Sequence, residues 1–206
     1  MKVYLDNEPI DVNPPSVRGA LALARTQAEG QGRLIIEVAA DGSPMLGSVL
    51  DNPPDDDAGV GELRMLSAAP GPFVRETLLE SVSVLDDAKA NQDRAAELIQ
   101  SGSVREAFGP LQRVLESWGV IRDVVAQSAR LVDMSIDTVR VGEGVTGEVC
   151  INELAQRLGA LRRGVAHEDW SGVADELAYE MDGLVERWRG LLAAMAEQAL
   201  AGEAGG

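Results

Sequence analysis

Two side chains in this sequence could carry acid–base or nucleophilic chemistry. His167 is the one histidine and Cys150 the one cysteine, so a hydrolase-type pair of nucleophile and base would have to use His167. No Gly-X-Ser-X-Gly turn of the hydrolase kind accompanies them. A lone cysteine also excludes an intramolecular disulfide and a thiolate zinc site. We therefore expect no enzyme activity, no catalytic residue and no cofactor, with His167 exposed at a corner between two helices.

Groups of acidic residues could bind a metal ion. Asp175, Glu176 and Glu180 fall close together on one predicted helix, and Asp55–Asp57 form a run. A carboxylate-bridged di-metal site in a helix bundle needs two Glu-x-x-His pairs, which a single histidine cannot supply. The aspartate run lacks the alternating ligands and the closing glutamate of a calcium loop. We expect no metal site and interpret both groups as solvated surface. A mixed carboxylate site and a weak surface cation site are the alternatives.

Composition and charge exclude further classes of function. The 206 residues include 34 acidic and 18 basic side chains, for a formal charge of −16, and 45% of them are apolar but only 3% aromatic. Such a charge repels phosphate backbones and anionic lipid, so we expect no nucleic-acid and no membrane partner. Apolar stretches are far shorter than the roughly 20 residues of a membrane span. Since the sequence starts on a strand-like segment without a signal pattern, we expect a cytoplasmic protein.

The first 69 residues alternate between strand and turn patterns around one helix. A hairpin is predicted at Lys2–Leu5 and Pro9–Val12. Ser16 is a typical N-cap for a helix that ends at Gly30–Gly32. Further strands are predicted by alternating or β-branched patterns at Leu34–Val38, Pro44–Leu46 and Glu62–Leu66.

This order of elements resembles the β-grasp, or ubiquitin-like, fold, and most nearly the small sulfur-carrier proteins of thiamine and molybdopterin biosynthesis. The resemblance implies a β-grasp-like mini-domain over residues 1–69. Sulfur carriers present a Gly-Gly carboxylate directly after the last strand, whereas here that strand continues through Ala68–Pro70 into a helix. The Gly205–Gly206 pair of this chain follows the helical part. We assign it to a flexible tail, 201–206, with conjugation through the terminus as the alternative.

Residues 70–200 predict an antiparallel four-helix bundle. The first helix covers about 72–100, Ser103 and Glu106 form a capping box for the second, and the third covers Ile151–Val165. The strongest pattern is in the fourth helix, where an apolar stripe repeats at spacings of four and three: Trp170, Ala174, Leu177, Met181, Leu184, Trp188, Leu191 and Met195. The connection at 135–147 is long for a bundle loop, so it is either a binding element or plain slack.

Aromatic side chains of the fourth helix are the candidate partner contacts. Trp170 begins the fourth helix beside a charged corner, and we predict it as a partner contact together with Tyr179 and Trp188. Core packing is the alternative for Trp188. The segment from Asp169 to Trp188 resembles the closing helix of small proteins from bacterial flagellar gene neighbourhoods. That resemblance implies a protein-binding role like that of flagellar export chaperones.

The sequence as a whole therefore predicts an α+β, non-enzymatic adaptor, chaperone or regulator. Its partner would be an amphipathic helix or a basic surface, bound through the helices and through an exposed strand edge. A homodimer through the same surface and a structural, self-assembling component are the alternatives.

Overall fold

The computed structural model describes residues 1–203 and has an α+β architecture that is mostly helical. It divides into two compact units, Met1–Phe73 and the residues from Val74 onward. The predicted boundary at 69/70 lies close to this division, and helix α3 (Pro70–Glu80) runs through it. Of the predicted tail, residues 201–203 are helical, whereas 204–206, with the Gly205–Gly206 pair, lie outside the described residues.

The N-terminal unit is a mixed five-stranded sheet with one long helix. Its elements are β1 (Lys2–Leu5), β2 (Glu8–Pro9), α1 (Val17–Glu29), β3 (Leu34–Ala40), β4 (Ser43–Pro44), α2 (Ser48–Asp51) and β5 (Glu62–Ala68). The strand order is β2-β1-β5-β3-β4, in which β1 and β5 are parallel and the other pairs antiparallel. The long predicted strands are confirmed. The predicted partner strand at Pro9–Val12 is instead the two-residue strand Glu8–Pro9, and beyond it the Ile10 amide still donates to the Val3 carbonyl at 2.9 Å.

Local chemistry explains how this unit is held together. The Ser16 hydroxyl accepts a hydrogen bond from the Gly19 amide at 3.0 Å, which confirms the predicted N-cap of α1. One face of α1 then packs on the sheet. The core consists of Val3, Leu5, Val17, Ala20, Leu21, Ala24, Val38, Leu63 and Met65. The alternation of buried and exposed residues along β5 places Leu63 and Met65 on that face, whereas Leu66 is exposed on the other.

The helical unit differs from the prediction of a single helix over 72–100. Two helices, α3 and α4 (Val82–Gln100), meet at Ser81. The Ser81 hydroxyl donates to the Thr77 carbonyl at 2.8 Å, and such a bond to the preceding turn bends a helix. The next helix, α5 (Val104–Leu131), is continuous over 28 residues.

The predicted single helix over Trp170–Met195 is also divided. Its parts are α7 (Trp170–Asp175), a π-helical turn (Glu176–Glu180) and α8 (Asp182–Glu203). The Met181 amide donates to the Glu176 carbonyl at 2.9 Å, the i→i+5 bond of a π turn. The apolar stripe nevertheless remains in the core, because every member from Ala174 to Met195 is at most 3% exposed.

The connection between α5 and α6 (Gly147–Ala166) is packed and partly regular. It contains a hairpin of β6 (Arg140–Gly142) and β7 (Val145–Thr146), and Val139 within it is buried. A Cβ atom added to Gly147 would lie 2.1 Å from the Ile136 carbonyl oxygen, so only glycine fits where the connection joins α6. On α8, a Cβ atom added to Gly190 would lie 2.8 Å from a methyl group of Val141. This packing shows that the connection is not plain slack.

None of the helices within residues 1–203 is both long enough and apolar enough to cross a membrane.

Gln92 is a buried polar side chain in the core of the helical unit. It is fully buried on α4, and neither atom of its amide has a hydrogen-bond partner among residues 1–203. We predict that Gln92→Met raises the free energy of unfolding by about 1–2 kcal/mol, because it replaces an unpaired buried amide by an apolar chain of similar shape. Urea denaturation measures the change. The exposed Gln156 on α6 is the control, since Gln156→Met should change stability by less than about 0.5 kcal/mol. A loss of stability in Gln92→Met would show that the amide is hydrogen-bonded in solution.

Candidate functional site

An open groove of about 900 Å³ lies between α5 and α6. Large apolar side chains form most of its lining: Phe108, Leu111 and Leu115 from α5, with Leu158, Leu161 and Val165 from α6. The small residues Gly109, Ala155 and Gly159 widen the groove. At Gly109 the space is open, because an added Cβ atom would meet nothing within 4 Å. Concave apolar surfaces of this size are typical binding sites.

The sequence of α5 explains why apolar side chains line the groove. Its main stripe, which includes Leu111, Val114 and Trp118, is buried in the core of the unit. A second apolar row lies beside that stripe, and its members Phe108 and Leu115 are 49% and 48% exposed. The apolar face of α5 is therefore wider than the stripe that is buried in the core. The additional apolar residues, Phe108 and Leu115, line the groove. Half-exposed apolar side chains gathered in a concavity indicate an interaction site.

One buried side chain of α8, Trp188, contacts both helices that form the walls of the groove. Its ring meets that of Trp118 on α5 edge-on, with ring centroids 5.6 Å apart and planes at 74°. Its indole Nε1 donates to the Cys150 carbonyl of α6 at 3.3 Å. An ion pair adds to the link with α6, since the Arg187 Nε atom donates to Glu153 at 2.8 Å. The groove is therefore bordered by helices that both contact Trp188 of α8, while α5 packs mainly on α4.

The charge of the groove is opposite to that of the chain. Its polar lining residues are Gln112, Arg122 and Arg162, and no acidic side chain is among the described residues that line it. Gln112 donates to Glu116 at 2.7 Å along α5, which holds the amide in place. Arg122 and Arg162 are both exposed. The site thus combines an apolar floor with two accessible guanidinium groups.

The three residues predicted as partner contacts occupy different environments. Trp188 is fully buried, which agrees with the alternative that it packs in the core, so it is not accessible to a partner. Trp170 is half-buried, and its ring packs edge-on against Phe108 of the groove at 5.7 Å. Tyr179 is 70% exposed on the π turn and is not part of the groove lining. Trp170 is therefore the one of the three that touches the groove wall.

The residues considered for catalysis lie apart from one another. Cys150 and His167 are seventeen positions apart along α6 and its C-cap, which corresponds to about 25 Å of helix. Cys150 is fully buried, and burial raises the pKa of its thiol, which disfavours the nucleophilic thiolate. His167 is exposed, as predicted, with its Nδ1 atom 2.8 Å from the Arg163 carbonyl oxygen. Within residues 1–203, no three histidine, cysteine or acidic side chains are grouped so as to hold a metal ion.

The π turn presents a partly buried ionic cluster to α6. Arg157 of α6 lies 2.7 Å from the Glu180 carboxylate and 3.5 Å from that of Glu176. Burial raises the pKa of the Glu176 carboxyl, and the nearby Arg157 charge only partly offsets this. The Glu176 Oε1 atom accepts no hydrogen bond from any residue of the described chain. Glu176 and Glu180 therefore serve a structural ion pair, a role that sequence spacing alone did not distinguish from solvated surface, whereas Asp175 is exposed as expected.

Comparison with known proteins gives no match: no family model fits the sequence, and neither a curated protein nor a solved structure similar to it was found.

Glu176 should make stability depend on pH in a defined direction. Its folded-state pKa is raised above the ordinary value of 4.5, so the fold favours the protonated carboxyl. The resulting contribution to the free energy of unfolding is complete below about pH 4.5. It is lost as the pH rises through the folded-state pKa. Glu176→Gln removes this titration. We predict that the unfolding free energy of the wild type, minus that of the variant, increases as pH falls from 7 towards 4.5. Urea denaturation of both proteins at several pH values gives this difference. The contributions of the other carboxylates to the pH dependence are the same in both proteins and cancel. A difference that decreases at lower pH would mean that the ion pair with Arg157 outweighs burial.

Proposed function

We propose that this protein is a non-enzymatic, protein-binding adaptor or chaperone that holds an amphipathic helix of its partner in the groove between α5 and α6. The observation that carries the proposal is the half-exposed apolar row of Phe108 and Leu115, which faces Leu158 and Val165 across an open concavity. Helix-in-groove binding requires such an arrangement of apolar anchor pockets.

The dimensions of the groove support a helix as its occupant. Its lining extends along α5 from Phe108 to Arg122, fourteen positions or about 21 Å. A bound helix of about four turns would match that length, with apolar residues at i, i+3, i+4, i+7 and i+11. The Phe108–Trp170 contact supports a role for Trp170 in shaping one part of the wall. Tyr179 would contact only a partner that extends beyond the groove.

Features of the architecture support the finer parts of the fold prediction. In the N-terminal unit, the central parallel pair β1–β5 and a single long helix on one sheet face are in keeping with a β-grasp. In the helical unit, α4, α5, α6 and the α7–α8 segment share one core, as in an antiparallel four-helix bundle. The flagellar resemblance supplies a candidate setting, the bacterial cytoplasm, in which small helical chaperones cover partner helices.

Docking at a strand edge has less support. The edge strands β2 and β4 are two residues long, which is too short for a ladder. β3 is longer, but a bulge at Ile36 interrupts its register, and bulges hinder the addition of a strand. A smaller groove of about 190 Å³ next to β3 includes Ile36 and Leu46. We therefore place the principal binding site on the helical unit.

Filling the groove should abolish helix binding. Ala155 lines the groove and is exposed, so Ala155→Trp can fill it without disturbing the core. The probe is a displayed library of 18-residue helical peptides with apolar residues at the spacing given above and random residues elsewhere. We predict that peptides selected on the wild type bind Ala155→Trp at least tenfold more weakly, which is about 1.4 kcal/mol. Fluorescence anisotropy of the synthetic peptides measures the affinities.

The matched control is Gln156→Trp, an exposed neighbour on α6 outside the lining, which should bind as the wild type does. Equal binding to wild type and Ala155→Trp, or no selected peptide at all, would contradict the proposal. Light scattering tests self-association: a wild-type dimer that Ala155→Trp dissociates would assign the groove to a second copy.

A further inference from the structure

We propose that the helix bound in the groove is acidic, and that carboxylates beside its apolar stripe pair with Arg122 and Arg162. This inference rests on the proposed function and adds the chemistry of the partner. It also revises the expectation of a basic partner, which follows from the charge of the whole chain and not from the site.

The first support is the contrast between the groove and the rest of the chain. Acidic residues outnumber basic ones by 34 to 18 in the sequence. A lining drawn at random would therefore hold about twice as many acids as bases, yet among the described lining residues both charged side chains are arginines. Among the lining side chains a basic partner would meet two like charges and an acidic partner two opposite ones, while the carboxylates of Glu116 and Asp123 lie outside the lining.

The second support is that these two guanidinium groups are available. Arg162 forms no ion pair with any residue in the described part of the chain. The nearest carboxylate to Arg122 belongs to its neighbour Asp123 at 3.6 Å, and both side chains are more than 60% exposed. A pair this exposed contributes little, so breaking it costs little. By contrast, Arg157 and Arg187 are committed to carboxylates of the helical unit.

The third support is the chemistry of arginine beside an apolar surface. Its planar guanidinium binds carboxylates through paired hydrogen bonds and is weakly hydrated, so it suits an interface that excludes water. The charge of −16 on the whole chain acts against an acidic partner. Salt at physiological concentration screens charges beyond about 8 Å, however, so contacts at the groove dominate over the distant surface.

Charge-matched peptides test the inference. The strongest sequence from the library is made in two forms with the same apolar face, one with glutamate and one with lysine at the positions beside that face. We predict that the wild type binds the glutamate form at least tenfold more tightly. The double variant Arg122→Glu and Arg162→Glu should reverse this preference. Arg113→Glu, exposed on α5 outside the lining, is the matched control and should leave the preference unchanged.

The outcomes separate this inference from the proposed function. If the lysine form binds the wild type equally or better, and Ala155→Trp still abolishes binding, the groove binds helices but the acidic partner is rejected. If neither form is sensitive to Ala155→Trp, the proposed function itself fails. A wild-type dimer that the double arginine variant dissociates would assign the groove to a second copy of this acidic chain. Native mass spectrometry that shows a fatty acid bound to the purified protein would also contradict a peptide occupant.

Discussion

One buried aromatic side chain of α8, Trp188, contacts both helices that border the groove. The apolar stripe of α8 buries it completely, and there it contacts α5 through the ring of Trp118 and α6 through the carbonyl of Cys150. A large aromatic ring that also donates a hydrogen bond fixes distance and orientation at once. Without it, α5 and α6 would lose this shared contact, and a large cavity would open in the core.

The groove follows from this arrangement. α5 packs mainly on α4 and touches α8 through Trp118, and α6 packs on α8, so the outer faces of α5 and α6 form the walls of an open channel. The small residues Gly109, Ala155 and Gly159 leave room between the walls, and Phe108 and Leu115 make them apolar. The two arginines of the lining, Arg122 and Arg162, give the groove a positive charge. A chain that is strongly acidic overall therefore presents an apolar and basic site.

Sequence periodicity predicted the buried parts of this structure well, because burial imposes a repeat on the chain. The stripe from Ala174 to Met195 and the N-cap at Ser16 are cases of purely local signals. The break at Ser81 and the π turn were missed, since hydrogen bonds and ion pairs decide them, not apolar spacing. The groove was missed because it combines residues of two helices distant in sequence. Its one local signal, the second apolar row of Phe108 and Leu115, lies outside the stripe that attracts attention.

The central claim is that a helix binds between α5 and α6, and methyl NMR of the full chain with a selected peptide tests it most directly. The account predicts that the largest shift changes fall on the methyl groups of Leu115, Leu158 and Val165, which line the groove. Leu131 and Val149, also exposed but outside the lining, should change little. Changes that cluster around Tyr179 or on the N-terminal unit, with the groove methyl groups unaffected, would contradict it.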